Sequence, residues 1–261
     1  MVVLAGEHQA SIAPLRAKCL TPRMVVAFGS FPLDTIWNVS GLPDLPRTRL
    51  LADISLWSAD LANLAAEIER VDPFADSFHL DVCDAHFAPS LLFFPDLVRA
   101  LRPLTRRPLH VHLMVERPTA LIADFIASGA DAITVHAETG ESEVEAAIQA
   151  IRRAGRSAGL ALRLDTPVAA AQTYLDRIDA LLLLGTELGV KGQDAAPEAC
   201  ARLAEAASMV GERRVLLIAD GGIRSHTVPG LRQAGADVIV PGSLVFQSQN
   251  LVETFAWLRR L

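Results

Sequence analysis

The chain has 261 residues, 51% of them hydrophobic, and a formal net charge of −6 at pH 7. This length suits one large domain, and the hydrophobic content is ample for a large buried core. The negative charge argues against a nucleic-acid-binding surface, and no apolar run approaches the roughly 18 residues of a membrane span. The totals therefore predict an ordinary soluble acidic protein with neither nucleic acid nor membrane as a partner.

The cysteine pattern points to a reducing compartment. Cys19, Cys83 and Cys200 are odd in number and form no C-x-x-C pair, so neither a disulfide framework nor a thiolate zinc site is expected. The first twenty residues include Glu7 and Pro14 instead of a continuous apolar block, which argues against a secretory signal. We therefore expect a cytoplasmic protein.

Residues 1–47 differ from the rest of the chain because prolines interrupt any long periodic segment. Short strands are predicted at Met24–Phe28 and Ile36–Val39. A basic, acid-poor start is also typical of a transit peptide. We expect instead an ordered N-terminal extension that packs on the main domain or on a partner subunit.

From residue 48 to residue 261, short apolar runs alternate with longer amphipathic segments. The predicted strands are Leu51–Ser55, Ser77–Val82, Leu109–Met114, Ala132–His136, Ser157–Leu162, Ala180–Leu184, Val215–Ala219 and Val238–Val240. The predicted helices are Ala59–Val71, Pro95–Leu101, Thr119–Ser128, Ser142–Ala154, Pro197–Val210, Val228–Ala234 and Leu251–Leu261. Eight strands, each followed by a helix-length segment, predict an α/β fold of the (β/α)8 TIM-barrel type, with a doubly wound open sheet as the alternative.

Polar groups at the predicted strand ends form a candidate metal site, because function in such a barrel lies at the C-terminal ends of the strands. His79 and Asp81 are two residues apart on one strand and share its inner face. His112 and Asp220 end two further strands. Two imidazoles and two carboxylates suit a divalent metal ion such as Zn, Mn, Fe or Co. The alternative is a buried His–Asp hydrogen bond that serves only the core.

Asp81 and Asp220 also form a candidate acid/base pair. They come from the second and seventh predicted strands, well apart around the barrel, and could face each other across a substrate. Such a pair can remove a proton from one face of a carbon and return one to the opposite face. A metal between them would polarise the adjacent carbonyl and stabilise an enediolate. The product would be an inverted carbon.

Glycine-containing turns after three strands predict a phosphate site. Gly221–Gly222 and Gly242–Ser243 follow the seventh and eighth strands, where backbone N–H groups can hold a phosphate in a TIM barrel. The segment Gly185–Gln193 after the sixth strand is also glycine-rich and carries Lys191, which either adds a positive charge to the phosphate or is simply solvated.

Five segments of the chain, taken together, resemble the ribulose-phosphate 3-epimerase family. They are Ser55–Asp60, His79–Pro89, His110–Met114, Asp220–Gly222 and Gly242–Phe246. The resemblance implies a (β/α)8 barrel, a divalent metal on His79, Asp81, His112 and Asp220, catalysis by Asp81 and Asp220, and a homo-oligomer. The resemblance also implies substrate contacts at Ser55 and in the glycine loops. The full set of predicted substrate contacts is Ser55, His112, Gly189, Lys191, Gly192, Gly221, Gly222, Gly242 and Ser243.

Two loops depart from the family pattern at the rim where the substrate would lie. Arg163–Pro167 replaces Asn-Pro-Gly-Thr-Pro, and Glu187–Gln193 replaces Asn-Pro-Gly-Phe-Gly-Gly-Gln. Cys83 stands where the family has methionine, a modest change to a small polarizable side chain. The metal and acid/base positions are intact, whereas the loops that define the substrate are altered.

The first hypothesis is therefore a metal-dependent ketose-phosphate 3-epimerase that converts D-ribulose 5-phosphate to D-xylulose 5-phosphate or acts on a related sugar phosphate. A decarboxylase or aldolase on a related barrel is a second hypothesis, weakened because no predicted strand carries a lysine. A sugar-phosphate-binding barrel without turnover is the third. The paired carboxylates argue against it, since they would repel an anionic ligand.

Some polar residues near these strands are expected to have structural roles. His136 is predicted to be a hydrogen-bonding histidine instead of a fifth ligand. Asp84 and His86 are expected to order the loop after the second strand, and His226 is expected to be exposed. The sequence assigns no role to Glu138.

Overall fold

The computed structural model describes residues 41–261, and within this range eight parallel strands close into a barrel. The barrel strands are β1 Leu51–Ser55, β2 Ser77–Asp84, β4 Leu109–Met114, β5 Ala132–His136, β6 Ser157–Leu162, β7 Ala180–Leu184, β8 Leu216–Asp220 and β9 Val238–Val240. A ninth, two-residue strand, β3 Leu91–Leu92, pairs with β2 in antiparallel fashion outside the ring. Parallel pairing runs β1-β9-β8-β7-β6-β5-β4-β2, and β1 pairs β2 to close the ring. The predicted TIM barrel is confirmed. The strands predicted before residue 41 lie outside the described residues.

The strand predictions differ from the structure at two places. β2 continues two residues beyond the predicted end, because Cys83 and Asp84 pair in antiparallel fashion with the two residues of β3. β8 begins and ends one residue later than predicted, so that Asp220 is its last residue. Both shifts keep the polar side chains at the C-terminal rim of the barrel.

Helices cover the outside of the barrel, with bounds that differ from the predictions mainly at their starts. They are α1 Leu64–Val71, α2 Pro95–Leu101, α3 Ile122–Ala127, α4 Glu141–Arg153, α5 Ala199–Val210, α6 Val228–Gln233, α7 Ser243–Phe246 and α8 Leu251–Leu258. α1 starts five residues later than predicted because Asp60 accepts a hydrogen bond from the Ala62 N–H and caps a separate 3-10 turn, Leu61–Asn63. None of the helices within residues 41–261 is both long and apolar enough to cross a membrane.

Two Gly-Ala-Asp sequences connect helices to strands at the N-terminal end of the barrel. Gly129 and Gly235 have positive φ values of 99° and 110°, which stop the preceding helices. Asp131 then accepts a hydrogen bond from the backbone N–H of Leu109 at 2.9 Å, and Asp237 accepts one from Leu217 at 3.0 Å. Each carboxylate therefore satisfies a strand N–H at the end of the barrel away from the polar rim.

The barrel interior is apolar at its N-terminal end and polar at its C-terminal end. Inward-facing side chains such as Leu51, Leu182 and Ile218 form one buried cluster, which Leu42 and Leu45 complete. The two latter residues belong to the predicted extension, and the division of the chain at residue 47 stays a prediction. Because side chains fill this end within residues 41–261, the polar rim is the end at which a ligand can enter the described barrel.

Candidate metal centre and active site

The four predicted metal ligands meet at the C-terminal end of the barrel. His79 and Asp81 both point inward from β2, and Asp81 is the register partner of His112 on β4. Asp220 reaches the same point as the last residue of β8. One donor atom from each of the four residues lies within 4.8 Å of the others. Side chains from three different strands thus converge on a volume that one ion could occupy.

The spacing of the donor atoms fits a bound cation better than a hydrogen-bonded cluster. His79 Nε2 lies 3.3 Å from His112 Nδ1, 3.3 Å from Asp81 Oδ1 and 3.7 Å from Asp220 Oδ2. His112 Nδ1 lies 3.4 Å from Asp81 Oδ1 and 3.6 Å from Asp220 Oδ2. Two ligands of a tetrahedral Zn²⁺ at ordinary bond lengths are about 3.4 Å apart. The donor set therefore fits a borderline divalent metal in both chemistry and spacing.

The two carboxylates have opposite pKa shifts although they share one site. Burial raises the pKa of Asp81, but the neighbouring His79 and His112 outweigh it and hold the pKa below its usual range. Burial raises the pKa of Asp220 to about 7, and the negative charge of Asp81 contributes to this rise. Without a bound cation, this site therefore favours an ionised Asp81 and a proton on Asp220 near neutral pH, so its two carboxylates have different environments.

A cavity of about 570 Å³ opens above the four ligands. Its lining includes the two carboxylates and the predicted substrate contacts Ser55, Gly189, Lys191, Gly192, Gly221, Gly222, Gly242 and Ser243. His79 and His112 are fully buried beneath it and do not line it. The predicted contact between His112 and substrate therefore stays a prediction, whereas the other residues are placed to face a ligand.

The turn after β8 requires glycine at both of its positions. Gly221 and Gly222 have φ values of 87° and 69°, and a Cβ on Gly222 would lie 2.2 Å from the Ala195 nitrogen. Beside this turn the Arg224 guanidinium donates to Ser243 Oγ at 3.1 Å and to the Gln193 carbonyl at 3.1 Å. A half-buried cation thus joins the three predicted phosphate-binding turns.

A profile of the ribulose-phosphate 3 epimerase family matches residues 52–246, which include every one of these site residues. The chain belongs to the ribulose-phosphate 3-epimerase family. This membership confirms the predicted family and the prediction that the chain is an enzyme, an isomerase of the carbohydrate-phosphate epimerase type.

Similar proteins named ribulose-phosphate 3-epimerase come from distant organisms. The protein of Bacillus subtilis (strain 168) is 36% identical over 209 residues, which are 78% of this chain and 96% of that protein. The protein of Treponema pallidum (strain Nichols) is 40% identical over 195 residues, 74% of this chain and 89% of that protein. A chloroplastic ribulose-5-phosphate-3-epimerase of Arabidopsis thaliana is 30% identical over 217 residues, 82% of this chain and 77% of that protein.

Two solved structures share the barrel fold at low sequence identity. A 3-hexulose-6-phosphate synthase has a TM-score of 0.60 at 18% identity and covers 81% of this chain and 98% of its own. The orotidine 5'-phosphate decarboxylase of Pyrococcus horikoshii OT3 has a TM-score of 0.58 at 14% identity and covers 80% of this chain and 97% of its own. At these identities the likeness shows the fold alone.

The two loops in which this epimerase-family chain departs from the family pattern make specific contacts at the rim. Arg163 lies over the Phe87 ring, 4.1 Å from its centroid, and donates to the Phe87 carbonyl at 3.0 Å. Lys191 lies 5.0 Å from the centroid of the Trp57 ring and donates to the Trp57 carbonyl. Each loop is therefore attached to a neighbouring loop through a cation and an aromatic ring.

The residues for which structural roles were expected have such contacts. His136 is buried and hydrogen-bonds His112 and Glu138 at 2.9 Å each. Asp84 accepts hydrogen bonds from the N–H groups of His86 and Phe87 and so orders the loop after β2. His226 is exposed, as predicted.

Sequence reasoning missed Arg224 in the cavity and Asp53 and His110 beneath the metal ligands. A signal for the two buried residues was present, because Asp53 precedes Ser55 by two positions and His110 precedes His112 by two. Residues two apart on a strand share a face, so the spacing predicts that Asp53 and His110 both point into the barrel. No comparable spacing marked Arg224, which lies in a loop.

Proposed function

We propose that this epimerase-family protein inverts C3 of a ketose phosphate, with D-ribulose 5-phosphate as the first candidate, by proton transfer between Asp81 and Asp220. The observation that carries the proposal is the meeting of these two carboxylates, with opposite pKa shifts, beside two imidazoles at the floor of a cavity. His79, Asp81, His112 and Asp220 would hold the divalent metal, for which zinc, manganese, iron or cobalt suits the donor set.

The proton transfers are assigned to the protein's own carboxylates. Asp81, ionised at neutral pH, removes the proton from one face of C3, and Asp220 delivers a proton to the opposite face; the reverse reaction exchanges their roles. Ser55 Oγ donates to Asp81 Oδ2 at 3.0 Å and so orients this carboxylate. A bound divalent cation would polarise the carbonyl beside C3 and stabilise the negative charge that forms when the proton leaves.

The phosphate of the substrate is assigned to the outer part of the cavity. Arg224 and Lys191 supply positive charge there, and backbone N–H groups of the turns at Gly221–Gly222 and Gly242–Ser243 supply donors. This arrangement separates the binding of the phosphate from the chemistry at the carboxylates. It also explains why a cavity otherwise lined by acidic catalytic groups accepts an anion.

Replacing Arg224 by glutamine is expected to raise KM by about 10–100-fold with a much smaller change in kcat, because a charge-assisted contact contributes roughly 1.5–3 kcal/mol. Steady-state kinetics with a ketose phosphate would measure both constants. Arg213→Gln is the matched control, since Arg213 pairs with the exposed Asp176 and does not line the cavity. An unchanged KM in R224Q would contradict the phosphate assignment.

Binding of the metal is expected to release protons near neutral pH. Burial lowers the pKa of His79, but the carboxylates Asp81 and Asp53 outweigh it and raise the pKa well above its ordinary value. His79, with its raised pKa, and Asp220, with a pKa of about 7, therefore hold protons that a bound cation displaces from the ligating atoms. Titration calorimetry of Zn²⁺ in buffers of different ionisation enthalpy should show a net release that declines as the pH rises above 7.

The substrate is tested by ¹H and ³¹P NMR of the metal-loaded protein with ketose phosphates of four to six carbons. The proposal expects a C3 epimer from at least one member, with D-ribulose 5-phosphate giving D-xylulose 5-phosphate. Release of CO₂ or of an aldehyde would instead support the decarboxylase or aldolase hypothesis. Saturable binding with no turnover of any member would support the non-catalytic barrel.

A further inference from the structure

A second cluster of polar side chains lies inside the barrel, directly beneath the metal ligands. Asp53 on β1 is fully buried. Its Oδ2 lies 2.9 Å from His79 Nδ1 and 2.7 Å from His110 Nδ1, and its Oδ1 accepts a hydrogen bond from Ser77 Oγ at 2.7 Å. On its far side, His110 Nε2 lies 2.7 Å from Thr134 Oγ1. A charged residue in a barrel interior needs such partners.

Hydrogen bonds account for this cluster without a second metal ion, although Asp53, His79 and His110 are close enough to be considered as ligands. The separations of 2.7–2.9 Å are ordinary hydrogen-bond lengths, shorter than the 3.3–3.7 Å between the donor atoms above. The nitrogen and oxygen atoms of the cluster already have hydrogen-bond partners, which leaves no donor atom for a second ion.

The contacts of Asp53 determine which nitrogen of His79 carries a proton. A carboxylate only accepts, so the Nδ1 atoms of His79 and His110 both donate to Asp53 Oδ2. Neutral His110 then accepts from the Thr134 hydroxyl through Nε2, which satisfies every polar atom of the cluster. In neutral His79, therefore, the proton is on Nδ1 and the lone pair is on Nε2, the atom that faces His112, Asp81 and Asp220.

The other imidazole ligand is oriented by a similar but longer chain of contacts. His112 Nδ1 faces the carboxylates, so its Nε2–H donates to His136 Nε2 at 2.9 Å. His136 in turn donates from Nδ1 to Glu138 Oε2 at 2.9 Å. Both imidazoles thus present a lone pair to one point. The other ring nitrogen of His79 contacts a buried carboxylate directly, whereas that of His112 contacts the imidazole of His136.

We propose that Asp53, together with its partner His110, is a positioning residue that fixes the tautomer and ring orientation of His79 for metal binding. This inference rests on the proposed metal site and assigns a role to two residues outside it. A carboxylate that accepts the distal N–H of a ligating histidine raises the basicity of that ligand. Asp53 also contributes a negative charge 2.9 Å from the ring, which favours a cation on the opposite nitrogen.

Asp53→Asn is expected to weaken Zn²⁺ binding by about 10–100-fold. The dissociation constant is measured by chelator competition, without substrate, and the visible spectrum of the Co²⁺-loaded protein reports the ligand geometry. Asp76→Asn is the matched control, because Asp76 is also buried but pairs with Arg49 and accepts from the Ala52 N–H instead of contacting a histidine. Both variants lose a buried charge, but only D53N should alter metal affinity and the Co²⁺ spectrum. Equal affinity in D53N and the wild type would overturn the proposal.

A measurement on the unmodified Zn²⁺-loaded protein covers the case in which D53N fails to fold. Long-range ¹H–¹⁵N NMR should show a proton on Nδ1 of His79 and none on its Nε2, and a proton on Nδ1 of His110. A proton on Nε2 of His79 would overturn the proposal. Epimerase assays run on the same samples separate the two claims. If the wild type turns over substrate and D53N binds the metal as tightly as the wild type, only the role of Asp53 is refuted. If D53N binds the metal more weakly but the wild type does not turn over substrate, only the proposed reaction is refuted.

Discussion

Asp81→Asn and Asp220→Asn are each expected to lower kcat for epimerisation by about 10²–10⁴-fold. The amide cannot remove or deliver a proton, and each variant also exchanges an anionic ligand of the metal for a neutral one. Each carboxylate serves a different face of C3, so neither can replace the other. The loss is measured by the appearance of the C3 epimer under saturating substrate.

Two controls separate the loss of catalysis from the loss of the metal or of the fold. Asp237→Asn removes a carboxylate at the opposite end of the barrel, where it accepts a hydrogen bond from the Leu217 N–H. This variant should keep its kcat. Metal content, determined after loading, shows how much of each loss comes from weaker metal binding. Epimerisation at an undiminished rate in both D81N and D220N would contradict the assignment.

Removal of the divalent metal by a chelator is expected to reduce activity by roughly 10³-fold, because stabilisation of charge next to the reacting carbon contributes several kcal/mol. Return of Zn²⁺, Mn²⁺, Fe²⁺ or Co²⁺ in separate samples should restore activity to different degrees and so rank the metals. The ion should also raise the free energy of unfolding by about 2.7 kcal/mol at a concentration of 100 times its dissociation constant.

Two histidine variants form a matched pair for testing metal binding. One histidine lies on β2 and the other lies in the loop that follows it. His79→Gln should fail to retain the ion after desalting, whereas His86→Gln should retain it, because His86 is exposed and absent from the ligand cluster. Full activity of the chelated wild type, verified as free of metal by elemental analysis, would contradict the proposed role of the cation.

Much of the architecture could be predicted because the local patterns agree with one another. Continuous apolar runs such as Ala180–Leu184 are typical of strands buried on both faces, and this strand has the predicted bounds. The rim residues could be predicted for a similar reason. His79, Asp81 and His112 lie at inward-facing positions of strands whose bounds were nearly correct, and closure of the barrel alone brings them together.

The parts that escaped prediction depend on contacts between distant segments. The late start of α1 follows from the cap at Asp60, which competes with the helical pattern over the same residues. The place of Arg224 in the cavity depends on the packing of its loop against Ser243 and Gln193. The inward direction of Asp53 follows from the spacing on its own strand, but its role depends on the contact with His79, 26 positions away.

The most direct test of the central claim follows the C3 proton of the substrate in deuterium oxide. The metal-loaded wild type is incubated with D-ribulose 5-phosphate and the related ketose phosphates, and ¹H NMR records both loss of the C3 proton signal and formation of the epimer. The account predicts deuterium at C3 of the epimeric product, and no such exchange in D81N or D220N. Absence of exchange with every sugar, in protein shown to hold a stoichiometric divalent metal, would contradict it.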